Sequence, residues 1–138
     1  MLTVTRYHDI SCGHRVHGHE GKCAHLHGHN YRIHFTCETA EVDALGRVID
    51  FGAIKLRLCE WLERHWDHRF LISSRDPWSG SLGLMDESVV KLPFNPTAEN
   101  MAHHLVTVVG PEVLAGTGVR LVGVTVEETR KCSATFTL

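Results

Sequence analysis

Two histidines separated by one glycine, His27 and His29, are the residues of this chain whose spacing most directly suggests chemistry. They belong to a segment in which six of the chain's 12 histidines fall between His14 and His29. In a β-strand, residues i and i+2 point to the same face, so both imidazoles can reach one metal ion. His14 can supply a third nitrogen if the strands before and after this segment pair as a hairpin. Three neutral imidazoles with an open fourth position are typical of a catalytic zinc site.

The third ligand stays open at this level. His17 and His25 lie in the same segment, and either can replace one member of the set. Histidines on the polar face of a strand are also often only solvated, and a zinc ion on a histidine-rich loop need not catalyse a reaction. The pattern predicts Zn²⁺ on His14, His27 and His29, with a non-catalytic zinc-binding module as the alternative from another class.

A cysteine lies beside these histidines. Cys23 follows Lys22 and precedes His27 by four residues. A nearby cation and a zinc ion both favour the thiolate, which is the reactive form of cysteine. A free cysteine more often packs as a small buried hydrophobe, but Gly21 and Ala24 make this segment loop-like. The sequence therefore predicts that Cys23 is a reacting thiol.

Strands are needed to position these residues. Alternating apolar and polar residues predict a first strand from Leu2 to about residue 16 and a second from His29 onward, with a loop at 18–21. A turn at 43–46 then leads into a short return strand, predicted over 47–51. One face of the second strand is apolar and consists of Tyr31, Ile33, Phe35 and Cys37.

Two helices and two further strands complete the pattern. Asp50 can cap a helix over 52–65, and Thr97 can cap a second one. Residues 73–96 are rich in Ser, Asp, Gly and Pro and predict a loop. The sheet-facing residues expected in the second helix are Met101, Ala102, Leu105, Val108 and Val109, and the final strands are expected at 122–126 and 134–138. This order predicts an α+β fold, an antiparallel sheet with two helices on one face.

Composition limits the class of protein. The 138 residues suffice for a single domain, 1–138, and the apolar fraction of 43% is ordinary for a globular chain. A formal net charge of -2 gives no reason to expect binding to nucleic acid, and no apolar run reaches the roughly 20 residues that cross a membrane. Five cysteines without CxxC spacing suggest reduced thiols in a cytoplasmic protein.

Residues 21–31 contain the pattern C-x-x-x-H-G-H and resemble the central motif of the 6-pyruvoyltetrahydropterin synthase family. Within that family they are most similar to the bacterial 6-carboxytetrahydropterin synthases of queuosine biosynthesis. The likeness spans nearly the whole chain, because five further blocks occur in the family's order. These blocks are residues 13–16, 48–51, 66–68, 95–100 and 126–129.

The resemblance implies a zinc-dependent lyase that converts 7,8-dihydroneopterin triphosphate to 6-carboxy-5,6,7,8-tetrahydropterin, with release of acetaldehyde and triphosphate, in queuosine (7-deazapurine) biosynthesis. The alternative within the family is a 6-pyruvoyltetrahydropterin synthase or a related pterin side-chain lyase. The family also implies a multi-subunit barrel, a homo-oligomer built from trimers up to a hexamer, with active sites at subunit interfaces. The segment 73–94 is longer than expected for compact members and can reshape the pocket mouth or a subunit contact.

Roles for individual residues follow from the same resemblance. It implies that His14, His27 and His29 hold zinc and that Cys23 is the general base. Asp67 and His68 align with the family's second catalytic pair, in which the histidine carries a proton and the aspartate sets its state. Without the alignment, an Asp-His neighbour pair at the end of a helix would carry little information.

The expected pterin pocket rests on three further residues. Glu128 is expected to anchor the pterin, because a carboxylate can accept two parallel N–H bonds from the aminopyrimidinone edge. Alternation does not decide between Glu127 and Glu128, and the choice rests on the family's Glu-Thr pair. Thr97 and Glu99 are expected to line the same pocket, although by residue type alone they are a helix cap and a first-turn acid.

Overall fold

The computed structural model describes residues 1–138 and contains a six-stranded sheet, two long helices and one short helix. None of the helices has the length and apolar character needed to cross a membrane. All five cysteines are free thiols. The elements are β1 (Leu2–His14), β2 (His27–Thr39), α1 (residues 51–65), β3 (Phe70–Ser73), α2 (Ser79–Met85), β4 (Val90–Leu92), α3 (residues 98–113), β5 (Arg120–Glu127) and β6 (Ser133–Thr137).

The sheet is mixed, so the expectation of a purely antiparallel sheet is wrong. The strand order is β4-β3-β1-β2-β5-β6. Strands β1, β2, β5 and β6 pair antiparallel with their neighbours in this order. In contrast, β3 runs parallel to β1, and β4 runs parallel to β3. Parallel neighbours need a crossover connection, and the short helix α2 supplies it between β3 and β4.

Two errors of local interpretation account for this difference. Residues 73–96 were expected to form a loop, but they contain α2 and β4 and follow directly on β3. The return strand expected over 47–51 is absent, because the Asp50 side chain accepts from the Gly52 amide and starts α1 at residue 51. Short strands of three or four residues carry too little alternation to be recognised from sequence.

The β1–β2 hairpin decides which residues face the core. Side chains directly opposite one another on antiparallel strands point to the same face. The register pairs Ile10 with Tyr31, Cys12 with His29 and His14 with His27. This face is covered by α1 and α3, whose buried residues join the sheet residues in one hydrophobic core. The residues between them, such as Ser11 and Asn30, point to the opposite and open face.

Helices α1 and α3 each contain one wide turn. The amide of Glu60 donates to the carbonyl of Lys55, and the amide of Gly110 donates to that of Leu105, five residues earlier in each case. The extra residue in the turn rotates the following side chains around the helix axis. In α3 the core therefore receives Val106, whereas Val108, expected to face the sheet, is 50% exposed.

Candidate active site

Three imidazoles meet on the core side of the sheet, at one end of the β1–β2 hairpin. His14 is fully buried, and His27 and His29 are partly buried. One nitrogen from each ring lies within 4.8 Å of the other two. The rings are packed edge to face, with centroids 4.5 to 5.0 Å apart. The structure therefore places His14 in this three-histidine cluster, and His17 and His25 lie outside it.

In two of the rings, the hydrogen bond of the outer nitrogen, Nδ1, shows that the inner nitrogen, Nε2, carries a free lone pair. Nδ1 of His14 donates to the carbonyl of Pro96 at 2.6 Å, and Nδ1 of His27 donates to the carbonyl of His25 at 2.8 Å. A carbonyl only accepts, so the proton of each neutral ring is on Nδ1 and the lone pair is on Nε2. Histidine ligands of metals are commonly oriented in this way.

The inner nitrogens fit a metal ion. The Nε2 atoms of His14, His27 and His29 are all buried without a hydrogen-bond partner. Burial lowers the pKa of His14 and that of His29, which keeps these rings neutral and able to donate a lone pair. Three neutral nitrogens converging on one point are a donor set that zinc accepts.

Glu128 approaches the same cluster from the end of β5. Its Oε1 lies 3.3 Å from Nε2 of His14 and 3.4 Å from Nε2 of His29, distances of an ion-pair contact without hydrogen-bond geometry. Glu127 instead contacts His34 on the open face. The structure therefore puts Glu128 on the core side and Glu127 on the open face.

Cys23 lies in a short 3₁₀ turn, Lys22–Ala24, and is partly buried. Its carbonyl accepts from the amide of Val16 at 2.9 Å. Burial raises the pKa of Tyr31, and the thiol of Cys12, the carboxylate of Glu128 and the thiol of Cys23 raise it further. The phenol oxygen of Tyr31 lies 3.2 Å from Nδ1 of His14.

A second cysteine near the cluster has a different character. Cys12 is buried beneath the hairpin, and burial raises the pKa of its thiol to about 12, with a smaller contribution from Asp67. At neutral pH this thiol is protonated and unreactive. Of the two cysteines, only Cys23 combines a partly open position with a location in a turn.

Asp67 and His68 form a connected pair at the edge of β1. Oδ1 of Asp67 accepts from the amide of Ser11 at 2.9 Å, and Oδ2 lies 2.9 Å from Nδ1 of His68. Burial raises the pKa of Asp67, but the bonds from Ser11 and His68 outweigh it, and the net pKa is lowered. His68 has a φ of +57°, which is strained for a residue other than glycine, and its side chain is 81% exposed.

This pair faces away from the three-histidine cluster. His68 lines a cleft of about 610 Å³ on the open face of the sheet, together with Ser11, Asn30, Arg32, Asp67 and Arg130. Neither Cys23 nor His27 lines this cleft. Within one chain, the structure does not bring the expected base and the expected Asp-His pair together.

The other two pocket residues lie at the start of α3. The Thr97 hydroxyl accepts from the amide of Asn100 at 3.1 Å and caps the helix, as expected. Thr97 directly follows Pro96, whose carbonyl contacts His14. Glu99 is exposed in the first turn and is not part of the cluster.

Sequence reasoning missed two residues that orient the ligand candidates. The carbonyl of Pro96 and the hydroxyl of Tyr31 both contact Nδ1 of His14. Alternation puts Tyr31 on the same face as His27 and His29, so its proximity had a signal in the sequence. The role of Pro96 had none, because any residue type has a carbonyl and the contact spans 82 positions.

Fold and site together define an α+β protein with a buried three-imidazole centre and a thiol in the adjoining turn. Residues 3–138 match the family model described as 6-pyruvoyl tetrahydropterin synthase. A relative from Rickettsia typhi, named 6-carboxy-5,6,7,8-tetrahydropterin synthase, is 34% identical over 134 residues. The alignment covers 96% of this chain and 97% of the relative. The chain belongs to the 6-pyruvoyl tetrahydropterin synthase family and is an enzyme of that family.

Solved structures agree with this assignment. The 6-pyruvoyl tetrahydropterin synthase of Caenorhabditis elegans superposes with a TM-score of 0.73 at 26% identity, covering 99% of this chain and 95% of that one. An uncharacterized protein from Wolinella succinogenes superposes with a TM-score of 0.85 at 24% identity, covering 99% and 97%. The second likeness shows the fold alone.

Proposed function

We propose that this enzyme is a zinc-dependent lyase that converts 7,8-dihydroneopterin triphosphate to 6-carboxy-5,6,7,8-tetrahydropterin, with release of acetaldehyde and triphosphate, in queuosine biosynthesis. The observation that carries the proposal is the convergence of three buried, unpartnered Nε2 atoms next to Glu128. The name of the Rickettsia relative supports the choice of product. Five free thiols suit a reducing compartment, so the proposal places the enzyme in the cytoplasm.

The residues of the cluster have separate tasks in this proposal. Zinc bound by His14, His27 and His29 would act as a Lewis acid on the hydroxyls of the substrate side chain and acidify the neighbouring C–H and O–H bonds. The Cys23 thiolate would accept the proton that leaves carbon. The Val16–Cys23 hydrogen bond, two residues after His14, joins the turn of Cys23 to the end of β1 and supports this role.

The Asp67–His68 pair would handle the second proton. The lowered pKa of Asp67 keeps this carboxylate charged, and its contact with Nδ1 holds the His68 ring in one orientation. His68 can then donate a proton from Nε2 and recover it later. Its exposed ring suits a group that must reach a substrate outside its own chain's core.

Glu128 would anchor the pterin ring by accepting two N–H bonds from its aminopyrimidinone edge. Its carboxylate is already on the core side and partly exposed, so a planar ligand can reach it. Thr97 and Glu99 would complete this pocket from the start of α3. Because an anchor acts on binding, we assign Glu128 mainly to substrate affinity and Cys23 to the chemical step.

We further propose that the working enzyme is a homo-oligomer in which the active site lies between copies. Cys23 lies in the turn that bonds to Val16, two residues after His14, whereas His68 lines an open-face cleft that Cys23 does not reach, so the proposal takes the two halves of the site from different copies. A neighbouring copy that presents its open-face cleft to the cluster would supply the missing half. Trimers, or hexamers built from them, are the assemblies that the proposal favours.

The test is incubation of the zinc-loaded protein with 7,8-dihydroneopterin triphosphate, followed by mass analysis of the products. Acetaldehyde together with a 6-carboxypterin is the expected result. A 6-pyruvoylpterin would favour the sister activity, for which the likeness to the Caenorhabditis elegans enzyme is the supporting observation. No conversion at all would favour the zinc-binding module.

Cys23→Ala separates these outcomes further. We expect a loss of turnover of at least about 100-fold, within the range for a general base, with zinc content unchanged. Cys132→Ala is the matched control, since that thiol is exposed and its contacts to the Glu128 turn are made by backbone atoms. Wild-type turnover by Cys23→Ala would remove this thiol from the mechanism.

A further inference from the structure

A buried ion pair next to the site has no task in the chemistry described so far. Arg15 directly follows His14 and is 7% exposed, and Asp76 in the turn between β3 and α2 is 2% exposed. Nε of Arg15 donates to Oδ2 of Asp76 at 2.7 Å. Removing two charges from water is costly, and such a pair often stabilises no better than apolar residues would. Stability alone therefore does not explain this ion pair, and its contacts with neighbouring segments indicate which groups it positions.

The guanidinium of Arg15 is held from two sides. Its Cζ lies 3.4 Å from the centroid of the Trp78 ring, so the planar group stacks on the indole. The second oxygen of Asp76 accepts from the amide of Trp78 at 2.8 Å, which ties the carboxylate and the ring together. Asp76 and Trp78 thus fix both the direction and the plane of the guanidinium.

The remaining face of Arg15 reaches the turn that carries Cys23. One terminal nitrogen of the guanidinium donates to the carbonyl of Ala24 at 3.2 Å. The 3₁₀ turn is only three residues long and has no side-chain cap at its N-terminal end. Apart from the Val16–Cys23 backbone bond, the Arg15 contact is the tether that joins this turn to the end of β1.

We propose that Arg15, Asp76 and Trp78 form a clamp that positions the Cys23 thiol against the three-histidine cluster. Arg15 is the positioning residue, because it follows His14 in the chain and bonds to the residue after Cys23. The segment after β3, which is longer than expected for compact members of the family, contains Asp76 and Trp78. The inference rests on the proposed role of Cys23.

The first test compares Asp76→Asn with Glu87→Gln in the full-length, zinc-loaded enzyme. Glu87 is exposed in the same segment, so this control removes one negative charge at a site without contacts to the clamp. For Asp76→Asn we expect kcat to fall at least about tenfold while KM changes less than about threefold and zinc content is kept, because an interaction needed only in the chemical step is weakened. Glu87→Gln should match the wild type.

A second readout does not depend on turnover. Cys132 is the exposed thiol of the chain, and Cys132→Ser removes it. Because the other three cysteines are buried, alkylation of this variant by iodoacetamide reports mainly on the partly buried Cys23. Asp76→Asn should speed this alkylation at least about fivefold, because the partly buried thiol loses a tether and gains access. If the wild type proves to have no lyase activity, the proposed function fails while this measurement still decides the clamp.

A double variant excludes a merely structural role. Arg15→Met/Asp76→Leu replaces the ion pair with apolar side chains, an exchange that buried pairs often tolerate without loss of stability. The clamp predicts that this variant folds, retains zinc, loses kcat like Asp76→Asn and alkylates faster. Wild-type kcat and wild-type alkylation in the folded double variant would overturn the proposal.

Discussion

Three imidazole nitrogens buried without partners are unusual at the scale of single residues. An unsatisfied buried polar atom typically costs about 1–3 kcal/mol, and three of them converge here. The carbonyls of Pro96 and His25 hold the tautomers that make two of these nitrogens, those of His14 and His27, acceptors and not donors. A cation with open coordination positions satisfies all three at once, which is why the cluster favours a metal over a hydrogen-bond network.

At this scale we predict which histidines determine zinc affinity. His29→Gln should weaken zinc binding by more than the roughly 10–100-fold typical of losing a residue that merely orients a ligand. His25→Gln removes an exposed ring from the same segment and keeps the backbone carbonyl that accepts from His27, so its affinity should equal that of the wild type. Competition with a chromophoric chelator measures both. Equal losses in the two variants would contradict the ligand set.

At the scale of elements, the close packing of α3 against the sheet restricts which residue types its sequence can contain. The wide turn of α3 ends at Gly110, which packs closely against Leu121 of β5. A Cβ built on Gly110 would lie 2.8 Å from Cδ2 and 2.9 Å from Cβ of Leu121. The Leu121 Cβ is attached to the strand backbone and cannot rotate away, so glycine is required by packing at this position.

Two glycine substitutions should therefore have opposite effects on stability. Gly110→Ala should lower the free energy of unfolding, because overpacking of about 1–3 kcal/mol outweighs the roughly 1 kcal/mol that alanine gains over glycine in a helix. A Cβ at Gly80 in α2 would have no neighbouring atom within 4 Å. Gly80→Ala should therefore raise the free energy of unfolding by about 0.4–1 kcal/mol. Urea unfolding of the three proteins measures this. A stabilised Gly110→Ala would show that α3 can move away from β5.

At the scale of the whole molecule, the sheet separates the two halves of the proposed site. Its core face carries the three-histidine cluster and Glu128, and its open face carries the cleft with His68. In the proposed homo-oligomer, Cys23 of one copy and His68 of another would meet at a shared site, which would link catalysis to assembly.

Mixing of inactive variants tests this link. Cys23→Ala and His68→Ala should each be inactive, but co-refolded in equal amounts they should regain up to about a quarter of wild-type activity, since random association gives that share of sites both intact residues. The control mixes Cys23→Ala with the Cys23→Ala/His68→Ala double variant, in which no complete site can form. A mixture of the two single variants that stays inactive, despite forming mixed oligomers, would place the whole site in one chain.

Features that depend on neighbours in the chain could be predicted from the amino-acid sequence. Alternation along β2 put His27 and His29 on one face, because the side-chain direction of a strand repeats every two residues. Thr97 marked the start of α3, because a hydroxyl at that position satisfies a free helix amide. The family motifs then carried the likeness to pterin synthases, which the family match confirms.

Features that depend on distant segments could not be predicted before the fold was known. One such feature is the parallel pairing of β3 and β4, and another is the contact of Pro96 with His14. A third is the position of His68 in a cleft that Cys23 does not line. Each depends on residues far apart in the chain. Glu128 reached the cluster because β5 pairs with β2 in one particular register. Local patterns carry little information on such contacts, because they arise from the packing of whole elements against one core.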